Sequence, residues 1–444
     1  MNVALAKTET GRALSDAFAL ARDRLPGSGK VSEARQQAFE AYERAGLPHR
    51  RIEDWKYTDL RVLMREVLPL AAAPDAAALK RAAAALKLHA IDGARRLALV
   101  DGMFAPSLSE TGNLEKGLGI RTLREVLEAG DAKVQALQAQ LLGSENPDTM
   151  VALNSAMMTD GLVIEVADGV ALTQPLHVVH IASGGVPSAM FTRSLLKLGN
   201  GASATLVESY ISAEGTKAYQ VHDSLIVSIG DKARLDQVRL IEDSREAFNI
   251  SSASVTLGAK AHFNTFGLTS GSNVSRYQAT IAFAGEGSRV ETNGVNLLNG
   301  RQHADSTLFL DHAVPNCESR EIFRAVVDDR GHSVFQGRII VRPGAQKTDA
   351  KMMTRALLLS DEAEADNKPE LEIFADDVTC GHGATTGALD ESLLFYLQAR
   401  GLPEKEAQAL LIQAFVGEAI ESIASDALRE LAISAAQRWL AARG

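Results

Sequence analysis

The sequence predicts a mainly β protein: a central repetitive β architecture between an N-terminal and a C-terminal helical region. Three observations carry this. From about Gly161 to Val378 apolar and polar residues alternate at period two. Within that stretch a Gly-x-x-small turn recurs at Gly199–Ala202, Gly230–Ala233, Gly258–Ala261 and Gly285–Ser288, with glycines 31, 28 and 27 residues apart. On either side the pattern turns to Ala-, Leu- and Glu-rich helical spacing. Evenly spaced short strands and glycine turns are the mark of stacked β repeats. A β-sandwich is the alternative. The solenoid is preferred because the stretch is long and without helical interruption, and because stacked coils protect strand edges.

Helices are expected over about 10–24 and 32–45, each followed by a Leu-Pro pair, Leu25-Pro26 and Leu47-Pro48. Proline lacks the N–H and disfavours helix in the residue before it. Ser32 is the expected N-cap of the second. A third helix starts after Pro74, with Asp75 in its first turn, and runs to about Leu88. A strand at Arg96–Val100 meets an Asp101-Gly102 turn, and an amphipathic helix covers about 121–141.

Inside the β region Leu225, Val227 and Ile229 alternate with Ser224, Ile226 and Ser228. Tyr277, Ala279, Ile281 and Phe283 alternate with Gln278, Thr280 and Ala282. One face of each strand is therefore apolar. A related turn stands at Pro343-Gly344. From Asp390 the chain returns to helix. Pro403 followed by Glu404 and Glu406 marks a helix start, with Leu410, Leu411, Ala414 and Phe415 at helical spacing, and a last helix covers about 425–441. The expected domains are 1–160, mostly helical; 161–384, the β core; and 385–444, helical.

Composition narrows the function. Of 444 residues 46% are apolar and the formal net charge is −10. This disfavours nucleic acid or an anionic membrane as partner, since both call for a basic face. Cys317 and Cys380 are the two cysteines, too few for a disulfide framework and suited to a reducing compartment. No secretory signal is visible in Met1–Thr8 and no apolar run is long enough to span a bilayer. A cytoplasmic location is expected.

Some matches fail on their chemistry. Gly27-Ser28-Gly29-Lys30 resembles part of a phosphate-binding loop, but Val31 stands where Ser or Thr is needed and Arg24 where the first glycine belongs. No nucleotide is expected to bind this chain. His177 and His180 are three apart in a strand and so face opposite sides; they read as a surface residue and a satisfied core residue. Cys317 reads as a buried structural thiol.

The informative segment runs from Leu371 to Asp390 and contains Cys380-Gly381-His382-Gly383. Side chains two apart on a strand share a face. A thiolate beside an imidazole can bind zinc or the iron of a cluster. The same spacing also fits a strand end with one buried thiol and one surface histidine. Two ligands do not close a metal site, so a real centre needs groups from another chain.

Ala375-Asp-Asp-Val-Thr-Cys-Gly-His-Gly-Ala-Thr-Thr-Gly387, with Leu394-Phe-Tyr-Leu397 and Arg400-Gly-Leu402, closely resembles the C-terminal signature of the SufB/SufD family. So do Pro369-Glu-Leu-Glu-Ile-Phe374, Leu357-Leu-Leu-Ser-Asp361 and Phe335-Gln-Gly-Arg-Ile-Ile-Val341. Glu53-Asp-Trp-Lys-Tyr-Thr58 resembles the family's N-terminal element. Chain length, that element and the stretch from His312 to Ser319 resemble the SufD-type branch. The resemblance implies a central right-handed parallel β-helix and a non-enzymatic scaffold for iron–sulfur cluster assembly. It implies a SufB-type partner at the β-helix end, and a SufC-type ATPase on the C-terminal helices around Leu410, Leu411, Ala414 and Phe415. It also implies a transient cluster shared across the subunit interface, with His382 the ligand from this chain and Cys380 an auxiliary one. Gly381 departs from the family's common serine at that place. Two other readings stay in view: a homodimeric ATPase-binding paralogue without a cluster, and a polysaccharide-active β-helix using Asp376 or Asp377. The second lacks aromatic platforms, since Trp55 and Trp439 both lie outside the β region.

Overall fold

The structure, a computed structural model, describes residues 9–129, 138–141 and 148–443. The expectation for Met1–Thr8 falls outside them. The β region is a parallel two-sheet solenoid. One sheet contains β1 (Arg95–Val100), β2 (Met103–Phe104), β5 (Leu176–Ala182), β7 (Ser203–Ser212), β9 (Arg234–Ile241), β11 (His262–Thr269), β13 (Arg289–Leu298), β15 (Glu318–Val327), β17 (Asp349–Leu358) and β19 (Thr379–Gly387). The other contains β3 (Leu118–Thr122), β4 (Leu162–Val166), β6 (Ser188–Leu198), β8 (Tyr219–Ile229), β10 (Ala247–Leu257), β12 (Val274–Phe283), β14 (His303–His312), β16 (His332–Val341) and β18 (Glu364–Ile373). Each coil gives one strand to each sheet, in parallel register with the next coil. The antiparallel pairs, β1–β2 and β3–β4, belong to the first strands.

The period-two pattern has a direct cause. Leu225, Val227, Ile229, Ala279, Ile281 and Phe283 all point into the lumen and are buried in one apolar cluster. The turn repeat has a different cause from backbone freedom. Each repeated glycine precedes an odd-numbered strand and lies on the turn of the preceding coil. A Cβ on Gly285 would come 2.0 Å from the Ala259 nitrogen, and one on Gly199 would come 2.3 Å from Asp168 Oδ1. Those turns are tied by a side-chain ladder: Asp168 accepts from Asn200 N, Asn200 from Asp231 N and Asp231 from Ala259 N, at 2.8, 2.8 and 2.7 Å. Ala202, Ala233, Ala261 and Ser288, the fourth residues of the turns, are all buried. Cys317 takes the same place before β15 and is fully buried. A Cβ added at Gly344 would meet nothing within 4 Å, so the Pro343-Gly344 turn is not a steric equivalent of the others.

The helical layers lie outside the sheets. α1 (Glu9–Ala21) and α2 (Lys30–Ala45) match the sequence expectation, but Gly29 with φ +54°, not Ser32, occupies the cap position of α2. Ser32 lies inside the helix and its hydroxyl donates to Gly27 O at 3.3 Å. α3 (Leu60–Leu63) follows, and α4 (Ala76–Leu88) is capped by Asp75. The helix expected over 121–141 starts only at α5 (Leu123–Glu128); a Thr122–Glu125 capping box ends β3 and opens the helix. Residues 138–141 are helical, and 130–137 lie outside the described residues. α6 (Thr149–Met157) was not foreseen. It is buried almost all round, so it shows no amphipathic period, and its Asn154 donates to Thr192 O and His222 O at 2.9 and 2.8 Å. At the C-terminus stand α7 (Glu391–Gln398), α8 (Glu404–Ile420) and α9 (Asp426–Arg443). Ile412, Val416, Ala419, Leu428, Ala432 and Trp439 pack on Val238, Phe266, Val295 and Val326 of the odd-strand sheet.

The Glu53–Thr58 segment clamps the outer face of the other sheet. The Trp55 ring lies 3.9 Å from the Arg276 guanidinium and its Nε1 donates to Asp148 at 2.7 Å. Arg276 on β12 donates to Asp54 O at 2.7 Å and forms a fully buried ion pair with Asp305 on β14. Thr58 Oγ1 sits 2.9 Å from His303 Nε2 and also donates to Asp305. Arg338 on β16 pairs with Asp54 at 3.2 Å, and Lys368 on β18 with Glu53. One short segment thus touches four consecutive coils, and it supplies partners to charges that would be costly to bury alone.

Two outcomes follow. Gly285→Ala should lower stability by about 1–3 kcal/mol or more, since the clash is with backbone, whereas Gly344→Ala should change it by less than about 0.5 kcal/mol; urea denaturation midpoints of the two variants check this. His303 is packed against Thr58, His332, Asp305 and Arg276, and burial, followed by the His332 charge, pulls its pKa down to about 4. Its folded pKa is below the unfolded value of about 6.5, so the folded state binds fewer protons and stability falls as pH drops from about 6.5 to about 4. His303→Gln should flatten that fall; an unchanged slope in denaturation midpoint against pH would refute the assignment.

Candidate functional site

The two ends of the solenoid differ. At the N-terminal end the sheets finish on short strands, β2 with 2 residues and β3 with 5. At the C-terminal end they finish on β18 with 10 residues and β19 with 9, and no residue of either strand is buried. A long bare edge presents a row of unpaired N–H and C=O groups that another chain can take up.

Cys380 and His382 both stand on β19. Cys380 is in register with Ala350 and His382 with Met352 of β17, and both of those residues are buried in the lumen core. The two side chains therefore share the lumen side at the open mouth. Cys380 is half-buried against that core, and His382 is exposed. Burial pushes the Cys380 thiol above its ordinary range; a backbone hydrogen bond with Ala350 offsets part of this, and the nearby Asp349 and Glu321 carboxyls add to it. The thiol is therefore protonated near neutral pH, and a metal must displace that proton to bind. Gly381 has open space around it, whereas a Cβ on Gly383 would come 2.7 Å from Met353 Cε. Asp376 and Asp377 lie in the exposed turn before β19, with Asp377 paired to Lys347.

The expected partner-binding residues divide by helix face. On α8, Leu410 is 46% exposed and Ala414 is exposed, while Leu411 and Phe415 are half-buried. Phe415 packs toward the odd-strand sheet, where Arg324 lies 5.6 Å from its ring. Sequence reasoning missed the larger part of the patch. Leu393, Phe395 and Tyr396 on α7 are 51, 71 and 51% exposed, and α7 buries no residue at all. The signal was present: an apolar run directly after the Asp390 cap, with no polar face to explain its helix.

Another cluster lies in the lumen far from the mouth. Oxygen and nitrogen atoms of His180, Glu208 and Asp223 lie within 4.8 Å of one another. Asp223 already accepts from Thr192 and Tyr210 at 2.5 and 2.7 Å, and Glu208 from Gln237 at 2.6 Å. Arg239, between Tyr210 and Tyr277 at 4.5 and 4.3 Å, supplies the cation there. This is an internal ion network. His180 stacks on Tyr210 inside, and His177 faces the other way and pairs with Ser209 at 2.9 Å. Both are buried, so His177 is not the surface residue expected: the helical layer covers it.

Comparison with known proteins gives the family. The sequence model for "SUF system FeS cluster assembly, SufBD core domain" matches residues 180–415, and that for "SufBD protein N-terminal region" matches residues 25–178. The iron-sulfur cluster assembly protein SufD of Escherichia coli is 30% identical over 404 residues, covering 90% of this chain and 91% of its own. An iron-sulfur cluster assembly SufBD family protein of Synechocystis is 31% identical over 401 residues, covering 88 and 86%. SufD of Bacillus subtilis is 27% identical over 292 residues, covering 65 and 66%. With the N-terminal and core models together spanning most of the solenoid and its clamp, the chain belongs to the SufB/SufD family of iron–sulfur cluster assembly proteins.

Proposed function

We propose that this chain is a SufD-type, non-catalytic scaffold subunit that works in the cytoplasm within a SufBCD-type complex. A SufB-type subunit docks on the open mouth, adding its strands to β18 and β19. The nascent iron–sulfur cluster, which is cargo, forms transiently between the two subunits, with His382 as this chain's ligand and Cys380 as an auxiliary one. A SufC-type ATPase binds the patch formed by Leu393, Phe395 and Tyr396 of α7 with Leu410 and Ala414 of α8, and its ATP-driven movement opens the subunit interface. This chain binds no nucleotide itself. The observation that carries the reading is the pairing of two uncapped edge strands with an accessible imidazole and a thiol on the same lumen face.

The chemistry fits a shared and transient site. Four ligands usually hold a cluster, and this chain offers two. The exposed imidazole needs no burial change to coordinate, while the thiol must first lose a proton held by its apolar surroundings. The same bare edges also suit a second copy of this chain, so a homodimer without a cluster remains a distinct reading that the experiments separate.

In a reconstituted complex His382→Ala should leave assembly intact and cut cluster formation at least about tenfold, as loss of a ligand does, with Cys380→Ala milder. Bound iron and sulfide measured after isolation test this; normal loading of the His382→Ala complex would mean that the histidine is structural. For the ATPase, Phe395→Asp together with Leu410→Asp should abolish co-purification while leaving the thermal transition of the β core in place. Persistent co-purification would move the docking surface elsewhere.

A further inference from the structure

Beneath the mouth lies an acid that the sequence did not single out. Glu321 on β15 is 1% exposed. Along the sheet it is in register with Met352, and Met352 with His382. Ser319, two residues earlier, leads in the same way through Ala350 to Cys380. Glu321 therefore faces the lumen two coils below the two candidate ligands, with only a thioether and a methyl group above it.

The carboxyl is buried with little compensation. Neither oxygen meets a donor in good hydrogen-bond geometry, and the Ser319 hydroxyl and the Arg320 charge offset its burial only in part. The Ser319 hydroxyl beside it is shared with His312 Nε2 at 3.2 Å, and His312 Nδ1 has no hydrogen-bond partner. The adjacent Arg320 points the other way and pairs with Asp349 at 2.6 Å. Across the lumen stand Phe335 and Gly337, which carry no charge. Glu208, the other lumen glutamate, by contrast has Gln237 and Arg239 beside it. Burial pushes the Glu321 carboxyl up to about 8. An unpaired buried carboxyl lowers stability, so its place under the mouth calls for a cation that the chain itself does not supply.

Building on the shared-site reading above, we propose that Glu321 is the buried countercharge of the Cys380–His382 site. A divalent cation held by the thiolate and imidazole at the mouth is attracted by the Glu321 carboxylate below them. Glu321 is a positioning residue: it acts through the field in a water-poor lumen, where charges two coils apart still interact appreciably. Met352 separates it from His382, and the thioether's place depends on Gly337, where a Cβ would come 2.4 Å from Met352 Sδ.

The test is cobalt(II) titration of the full chain at pH 8, read by the thiolate-to-cobalt charge-transfer band. The band should vanish in Cys380→Ala and weaken in His382→Ala. In Glu321→Gln it should keep its shape while the Kd rises roughly tenfold, and the melting temperature should not fall, because the amide removes a buried unpaired charge. Glu321→Asp, which keeps the charge, should bind more tightly than Glu321→Gln. Equal affinity of wild type and Glu321→Gln would overturn the countercharge while leaving the Cys380–His382 site standing. A lower melting temperature with unchanged affinity would make Glu321 purely structural. Absence of any Cys380-dependent band in the wild type would sink the site reading and this inference together.

Discussion

A stack of parallel coils satisfies its backbone only by adding the next coil, and this constraint organises the molecule. Every strand between β4 and β17 has a neighbour on both sides, so its N–H and C=O groups are paired. The stack must still stop twice. At the N-terminal end it stops on short antiparallel strands within a helical layer. At the C-terminal end it stops on two long strands with nothing beyond them among the described residues. Where the pairing requirement is left unmet, a partner chain can meet it, and the candidate cluster ligands lie on that same strand.

The lumen is held by two different means. Most of it is an apolar column in which each coil repeats the inward residues of the last. Buried charges interrupt it, and they are treated unequally. Glu208 and Asp223 accept hydrogen bonds from Gln237 and Tyr210 with the Arg239 cation nearby, whereas no hydrogen bond in good geometry reaches Glu321. Outside, the Trp55 segment and helices α8 and α9 act as straps along the coils. They fasten repeats to one another, which a one-dimensional stack otherwise couples only to nearest neighbours. The Arg276–Asp305 pair shows the arrangement: it is fully buried, yet Trp55, Asp54 and Thr58 surround it with contacts.

The mouth places a thiol and an imidazole side by side at the bare edge. His382 is open to solvent and Cys380 is half-buried. What the site offers is soft coordination at an interface, with the rest of the coordination sphere to come from another chain.

By itself the sequence determined the period, the strand faces and the repeat of the turns, because burial on one side of a strand and close packing of stacked turns impose residue choices coil by coil. It also placed Cys380 and His382 on one face, since a strand allows nothing else for residues two apart. It could not show α6, whose all-round burial erases the helical period, nor that Gly29 displaces Ser32 as a cap. Only the tertiary structure decided which end of the stack is bare, which face of α8 is covered, and that α7 carries most of the exposed apolar patch. It alone placed Glu321 beneath His382, for the register across two coils brings together residues some sixty positions apart in sequence, and no local pattern records such a meeting.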